Sequence, residues 1–204
     1  MEVYDTEEQQ VEAIKDWWKE NGKAVILGAV VGLGGLFGWR YYQDAALQSK
    51  EQASEAYTEV ITALLGEQSG SEDKVQSFIE ANGKSEYSVL AALQLAKVQV
   101  EESQLDEALA QLEWAKANSK DEALKAVISY RIARIQAEQE NYAGALSELT
   151  NITDANWSGR IAELRGDIEL RQGNNDAAYA AYTEAQQSAD ASQTLQLKLD
   201  DLAK

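Results

Sequence analysis

Carboxylates are the most plentiful groups in this sequence that can carry chemistry. The 204 residues include 35 Asp and Glu against 18 Lys and Arg, a net charge of −17, and they include no His, no Cys and no Pro. Paired carboxylates can act as general acid and base. Here, however, the acidic residues are scattered through stretches with helical periodicity, where a charge usually belongs to a solvated face. The sequence therefore predicts no catalytic residue and no enzymatic activity.

The missing residue types exclude further kinds of site. Zinc sites built from Cys and His, Ser-His-Asp triads and disulfides all need side chains that the chain lacks. The sequence also has no phosphate-binding glycine loop and no Gly-x-Ser-x-Gly elbow. We therefore expect no metal site and no cofactor. Nucleic acid is a poor partner, because a net charge of −17 repels phosphate backbones.

One uncharged segment interrupts the charged sequence. Residues 24–39 carry no charged side chain, whereas residues 1–23 have a net charge of −4 and residues 44–204 a net charge of −14. As a helix the segment is about 24 Å long. Flanking Lys23 and Arg40 can snorkel, and Trp39, Tyr41 and Tyr42 suit a membrane interface. We predict a transmembrane signal anchor over residues 24–42.

Five of the thirteen glycines fall within this segment. Gly is costly in a soluble helix but permits close helix approach in lipid. The spacings Gly28-x-x-x-Gly32 and Gly34-x-x-x-Gly38 predict contact with another transmembrane helix, unless small residues are simply frequent in spans. A buried soluble helix is disfavoured because the segment has no polar face. A cleaved signal peptide is disfavoured because 23 residues of net negative charge precede it.

Nearby cations predict the orientation of the span. Lys15, Lys19 and Lys23 precede it, and Arg40 and Lys50 follow within a comparable distance. This slight excess favours a cytosolic N-terminus. We expect the long C-terminal part to be exported.

An amphipathic stretch precedes the span. Thr6 begins a capping-box spacing with Gln9, and Asn21-Gly22 predicts a helix end. This short helix is either an interfacial helix or a docking face for a cytosolic partner, or else its aromatic residues merely anchor the end of the span. The residues that share one face are Val11, Ile14 and Trp18.

Three downstream blocks share one spacing. Each block begins with a small residue. Counted from that residue, a second small residue follows after 12 positions, a bulky residue after 16 positions and a further apolar residue after 19 positions. The blocks are spaced by 37 and then 33 residues. Two short antiparallel helices that cross closely need a small residue on each helix and a large one beside them. The members are Ala96, Ala108, Leu112 and Ala115; Ala133, Ala145, Leu149 and Ile152; and Gly166, Ala178, Tyr182 and Ala185.

This spacing is similar to the tetratricopeptide pattern of helix–turn–helix units with a period near 34 residues. The sequence lacks the closing Pro of that pattern, and Arg165 stands where Leu is usual. We predict an all-α protein with an N-terminal single transmembrane helix followed by a tetratricopeptide-repeat-like α-solenoid. The expected domains are a cytosolic tail with a short amphipathic helix at 1–23, the signal anchor at 24–42 and the repeat domain at 43–204. The repeat domain divides into a degenerate first repeat at 43–84 (helices over 44–65 and 73–82), repeats at about 85–120, 122–155 and 157–190, and a capping helix at 192–202.

Tetratricopeptide stacks usually bind extended peptides or helices in a groove lined by the first helix of each pair. Lys97 and Arg134 occupy equivalent positions in successive repeats and can pair with an acidic group. The alternative is that the first repeat or the capping helix covers some of the apolar residues on this face. Helical counting places ten residues on the groove face: Leu90, Leu93, Lys97, Val100, Val127, Tyr130, Arg134, Arg160, Glu163 and Asp167.

Several stretches carry a resemblance to a known family. Four stretches resemble the ancillary SecYEG translocon subunits (the YfgM family) of Gram-negative bacteria: VEAIKDWWKENGK at 11–23, GWRYY at 38–42, LKAVISYRIARIQ at 124–136, and the stretch from Trp157 through IAELRGDIELRQGN, at 157–174. The resemblance covers essentially the whole chain. It implies a single-pass protein of the bacterial inner membrane, with a cytoplasmic N-terminus and a periplasmic repeat domain.

The same resemblance implies a set of partners. These are the Sec translocon, a membrane-anchored periplasmic chaperone of the prolyl-isomerase type and client polypeptides emerging into the periplasm. A cytosolic stress regulator is also implied as a partner of the N-terminal tail. The favoured function is a non-enzymatic interaction protein that links the translocon to periplasmic chaperones. The alternative is a scaffold or adaptor of another cell-envelope assembly or stress-signalling pathway.

Overall fold

The computed structural model describes residues 7–83 and 85–202, which are almost entirely helical and contain no strand. The chain divides into two compact units, one extending to Gln52 and one beginning at Ala53. The prediction of an all-α protein is confirmed. The helices are α1 Glu7–Leu65, α2 Ser71–Ala81, α3 Glu86–Glu101, α4 Leu105–Asn118, α5 Glu122–Glu138, α6 Tyr142–Leu149, a 3₁₀ turn Ala155–Trp157, α7 Ser158–Arg171, α8 Asn175–Gln186 and α9 Leu195–Leu202.

Helix α1 contains the predicted span. Within the described residues it is the one helix long and apolar enough to cross a membrane, and only 6% of its most apolar window is buried in the protein. Large side chains such as Leu27, Val31 and Phe37 are exposed, as expected of a surface that faces lipid. The rings of Trp39 and Tyr42 lie 6.2 Å apart at the predicted interfacial end.

The predicted helix end at Asn21-Gly22 is wrong, because α1 continues through both residues. The side-chain amide of Asn21 donates to the carbonyl of Trp17 at 3.0 Å, within a turn whose backbone is helical. The indole of Trp18 lies over Gly22, 3.3 Å from where a Cβ would stand. Gly22 therefore accommodates a neighbouring ring instead of ending the helix. The predicted cap at Thr6 lies outside the described residues.

The second unit begins with the end of α1 and with α2. The break between them contains two residues in the left-handed region, Glu67 with φ 52° and Gly70 with φ 70°. Helix α2 starts two residues earlier than the predicted 73–82, because Glu72 and Asp73 in its first turn favour a helix N-terminus. Core side chains of both helices, including Leu64 and Phe78, pack in one cluster with those of α3.

Three helix pairs follow, α3 with α4, α5 with α6 and α7 with α8, and these pairs make the most extensive contacts in the unit. All twelve residues of the recurring spacing are buried. The first two pairs contact through two alanines beside a leucine, and the third through Gly166 and Ala178 beside Tyr182. Close packing of small residues at the crossing therefore accounts for the spacing read from the sequence.

The turns inside the three pairs also recur at the repeat spacing. In each turn one residue adopts the left-handed conformation, and the next amide donates to a carbonyl five residues back, as in a Schellman motif. This turn ends the first helix without a Pro. The left-handed residues are Ser103, Glu140 and Gly173, with φ of 65°, 61° and 81°. The amide donors are Gln104, Asn141 and Asn174, at 2.7, 2.8 and 2.9 Å.

Helix α9 starts at Leu195, three residues later than the predicted 192–202. The preceding residues instead close over the start of α7. The two carboxylate oxygens of Asp190 accept from the amides of Gly159 and Arg160 at 2.8 and 3.2 Å. Leu195 and Leu199 of α9 are buried against the core of the third pair.

Candidate partner-binding groove

A cavity of about 620 Å³ opens between the first helices of the three pairs. Helices α3, α5 and α7 each present one face to it, and α4 supplies part of the floor. The volume lies within the range of about 300–1,000 Å³ that is usual for ligand sites. The lining residues are Leu93, Ala96, Lys97, Val100, Glu101, Leu105, Leu112, Arg131, Arg134, Ile135, Ala137, Glu138, Leu164, Asp167, Ile168 and Arg171.

Five of the ten residues predicted for the groove face line this cavity. They are Leu93, Lys97, Val100, Arg134 and Asp167. Leu93 is buried in the floor, whereas Val100 remains 42% exposed and is available for contact. Whether the cavity binds a partner stays a prediction.

The other predicted residues lie elsewhere. The rings of Tyr130 and Trp157 are 5.4 Å apart, and the Arg160 guanidinium lies 5.0 Å from the centre of the Trp157 ring. Tyr130 and Arg160 thus belong to an aromatic cluster near the start of α7. The remaining three, exposed Leu90 and half-buried Val127 and Glu163, do not line the cavity.

Counting along α5 and α7 missed several residues of the cavity wall. Arg131 and Glu138 flank Arg134 at helical spacing, and Arg171 follows Asp167 by one turn. Extending the predicted stripe at intervals of three and four residues would have found all three. The buried floor residues Leu164 and Ile168 could not be assigned to the cavity from the sequence, because apolar residues at these positions are equally consistent with the hydrophobic core.

Most charged groups of the cavity are already paired. Lys97 lies 3.6 Å from Glu101, and Arg171 lies 2.8 Å from Glu138. A second guanidinium nitrogen of Arg171 donates to the carbonyl of Ala137 at 3.0 Å. These pairs join residues on one helix or link α7 to α5. They neutralise two of the three carboxylates in the wall.

The third carboxylate, Asp167, belongs to a polar cluster that α9 completes. We call Glu163, Asp167, Tyr182, Ser192 and Lys198 the Lys198 cluster. The ammonium group of Lys198 lies 2.6 Å from Asp167 and 2.9 Å from Glu163. The Tyr182 hydroxyl donates to Asp167 at 2.7 Å, and the Ser192 hydroxyl donates to Glu163 at 2.9 Å. Helix α9 therefore pairs with the charged part of the predicted face, whereas the alternative drawn from the sequence concerned only its apolar residues.

Two groups in this cluster have raised pKa values. Burial raises the pKa of Tyr182, and its hydrogen bond to Asp167 raises that pKa further. Burial alone would lower the pKa of Lys198, but its hydrogen bonds to Asp167 and Glu163 outweigh burial, so the Lys198 pKa is raised. Both groups therefore keep their protons well above neutral pH, and the cluster stays an ion pair with a neutral phenol.

The glycines of the span present open surface. A Cβ built at Gly28, Gly32, Gly34 or Gly38 meets no other atom within 4 Å. The two pairs lie on different faces of the helix, because residues four apart share a face and residues six apart do not. Either face leaves room for a second helix, and contact with one stays a prediction.

The second unit is therefore a tetratricopeptide-like helical repeat, and α1 fits a single-pass membrane protein. The sequence matches the tetratricopeptide repeat-like domain family over residues 15–204. It is 37% identical to the ancillary SecYEG translocon subunit of Escherichia coli K12 over 207 residues, covering all of both chains. It is 35% identical to that of Haemophilus influenzae over 198 residues, covering 96% of this chain and 97% of that protein. The chain belongs to the family of ancillary SecYEG translocon subunits, which confirms the resemblance seen in the sequence.

Proposed function

We propose that this protein is a membrane-anchored, non-enzymatic ancillary subunit of the Sec translocon that acts by binding other proteins. The observation that carries the proposal is the full-length similarity to proteins named as translocon subunits, which includes both the span and the repeat unit. In this proposal the glycine faces of the span contact a translocon helix, and the repeat unit works on the exported side.

The groove gives the repeat unit a means of binding. Concave apolar surfaces with a few fixed charges suit a helix or an extended segment. We propose that the groove holds a segment of a membrane-anchored periplasmic chaperone of the prolyl-isomerase type, or of a client emerging into the periplasm. The chain thereby links the translocon to periplasmic chaperones. The wall residues that support this role are Leu93, Lys97, Val100 and Arg134.

The N-terminal part of α1 supplies a second surface. Ile14, Trp17 and Trp18 are more than half exposed on a helix that precedes the span. With the N-terminus in the cytoplasm of the bacterial inner membrane, these side chains either lie at the membrane interface or contact a cytosolic stress regulator. The repeat unit then lies in the periplasm.

Bulky residues on a glycine face test the association directly. We expect Gly28→Leu combined with Gly32→Leu to reduce recovery of the translocon with the full-length protein several-fold. The reason is that side chains of this size prevent close helix approach. The measurement is affinity purification from bacterial membranes in mild detergent, with quantitative mass spectrometry of the co-purified proteins.

Leu33→Phe serves as the matched control, because it adds bulk on a face that carries neither glycine pair. The control protein should recover the translocon as the unsubstituted protein does. Recovery of a different envelope assembly in place of the translocon, by the unsubstituted protein, would favour the adaptor alternative and contradict the proposal.

A further inference from the structure

Two arginines of the groove wall are left without a counter-charge. All three carboxylates of the wall are paired, Glu101 with Lys97, Glu138 with Arg171 and Asp167 with Lys198. Arg131 and Arg134 form no ion pair with any residue in the described ranges 7–83 and 85–202. The groove therefore carries an excess of positive charge.

This local excess is opposite in sign to the net charge of the chain. Acidic residues outnumber basic ones by 35 to 18 in the whole sequence, whereas the cavity lining contains four basic and three acidic residues. Arg131 and Arg134 lie three residues apart on α5, and both are exposed. Side chains at this spacing share one face of a helix, and each guanidinium offers a planar set of donors that matches a carboxylate.

Apolar side chains line the same cavity as the two arginines. Ile135 and Ile168 are buried in the lining, and Val100 of the lining is 42% exposed. A ligand that satisfies both features needs carboxylates and apolar side chains on the same short segment. A flat lipid surface offers anionic groups, but it does not enter a concave cavity between three helices.

We propose that the groove selects an acidic amphipathic peptide segment, whose carboxylates pair with Arg131 and Arg134 while its apolar side chains enter the cavity. The inference rests on the proposed function, which requires that the groove bind a segment of a partner, and it adds the chemistry of that segment. Cation and carboxylate make charge-assisted, bidentate hydrogen bonds, which fix the register of the bound segment as well as adding affinity.

The test uses three synthetic peptides and the full-length protein in nanodiscs of uncharged lipid. The peptides share leucines at helical spacing and carry Glu, Gln or Lys at all other positions. We expect the Glu peptide to bind about tenfold more tightly than the Gln peptide, since two exposed ion pairs together contribute on the order of 1.4 kcal/mol. The Lys peptide should bind least. Fluorescence anisotropy at low and at physiological salt gives the three affinities.

Substitutions assign the preference to the groove. In Arg131→Gln combined with Arg134→Gln, the Glu and Gln peptides should bind equally. The control combines Lys74→Gln with Lys120→Gln. It removes the same charge from two exposed residues outside the groove, and it should keep the tenfold preference. Unchanged circular dichroism and thermal unfolding show that each variant is folded.

The outcomes separate this inference from the proposed function. Equal binding of the Glu and Gln peptides to the unsubstituted protein overturns the acidic preference but leaves the groove as a binding site. If none of the three peptides binds, the inference is overturned. The association of the full-length protein with the translocon is tested separately, by co-purification from membranes. Displacement of the Glu peptide by vesicles of anionic lipid, but not by uncharged vesicles, would assign the arginines to lipid and also overturn it.

Discussion

Replacing Gly166 with alanine is expected to lower the free energy of unfolding of the repeat unit by about 1–3 kcal/mol. An added Cβ would stand 2.5 Å from Cδ1 of the Tyr182 ring, which is fully buried and has no room to withdraw. In the two preceding repeats an alanine occupies the equivalent position, but there the bulky neighbour is a leucine. The measurement is hydrogen exchange of α7 and α8 in the full-length protein.

A second substitution should reverse most of this loss. Gly166→Ala combined with Tyr182→Leu recreates the alanine–leucine contact of the other two repeats. The double variant should lose less free energy of unfolding than the two single variants lose together, by about 1 kcal/mol or more. The reason is that the effects of substitutions at residues in contact are not additive. Part of the loss remains, since Tyr182→Leu removes the hydrogen bond to Asp167.

Gly83→Ala is the matched control for an added methyl group. Its Cβ would meet its nearest neighbour at 3.4 Å, an ordinary contact, so it should change stability little. Two outcomes would contradict the packing explanation of the repeat. One is a Gly166→Ala variant that is as stable as the Gly83→Ala variant. The other is a double variant whose loss of stability equals the sum of the losses caused by Gly166→Ala and Tyr182→Leu alone.

Replacing Lys198 with methionine is expected to release α9 from the repeat unit. The substitution keeps an apolar stem but leaves Asp167 and Glu163 without their cation, which costs about 1–3 kcal/mol for groups that are partly shielded from water. Helix α9 spans eight residues, too few to stay helical alone. Its amides should therefore exchange much faster than those of α7, with Lys198→Arg as the control that keeps the charge.

High pH should have the same effect as Lys198→Met. The folded-state pKa values of Lys198 and Tyr182 are both raised above their ordinary values of 10.5 and 10.0. Their contribution to stability is therefore complete below about pH 10 and decreases as the pH rises further. The protection of α9 amides, taken relative to their intrinsic base-catalysed exchange rate, should decrease above pH 10 in the unsubstituted protein and change less with pH in the Lys198→Met variant. An equal loss of protection in both proteins would contradict this role for the cluster.

Local patterns in the sequence predicted the helix pairs well, because each pair packs through residues that are close in sequence. The offsets of twelve, sixteen and nineteen residues depend only on how the two helices of one pair cross, and all twelve residues at these offsets are buried. The left-handed turns recur at the same spacing, and only Gly173 among the three left-handed residues is a glycine. The register of the solenoid was thus readable from the sequence.

Features that depend on distant contacts were harder to read. The pairing of Lys198 with Asp167 joins residues 31 positions apart, and no sequence pattern connects them. The helix end predicted at Asn21-Gly22 is wrong because Gly22 provides space for the Trp18 ring inside a continuous helix, and a dipeptide pattern does not show that packing. Arg131, in contrast, follows from extending the stripe on α5 by one turn, so part of the groove was predictable but overlooked.

The most direct test of the proposed function is the accessibility of the repeat unit to protease in spheroplasts. We expect added protease to digest the chain beyond the span, leaving a protected N-terminal fragment that ends near Arg40, while cytosolic marker proteins remain intact. Such a result places the groove on the side where exported proteins emerge. A repeat unit that resists protease in spheroplasts and is digested only after lysis would contradict the proposed orientation and the function that depends on it.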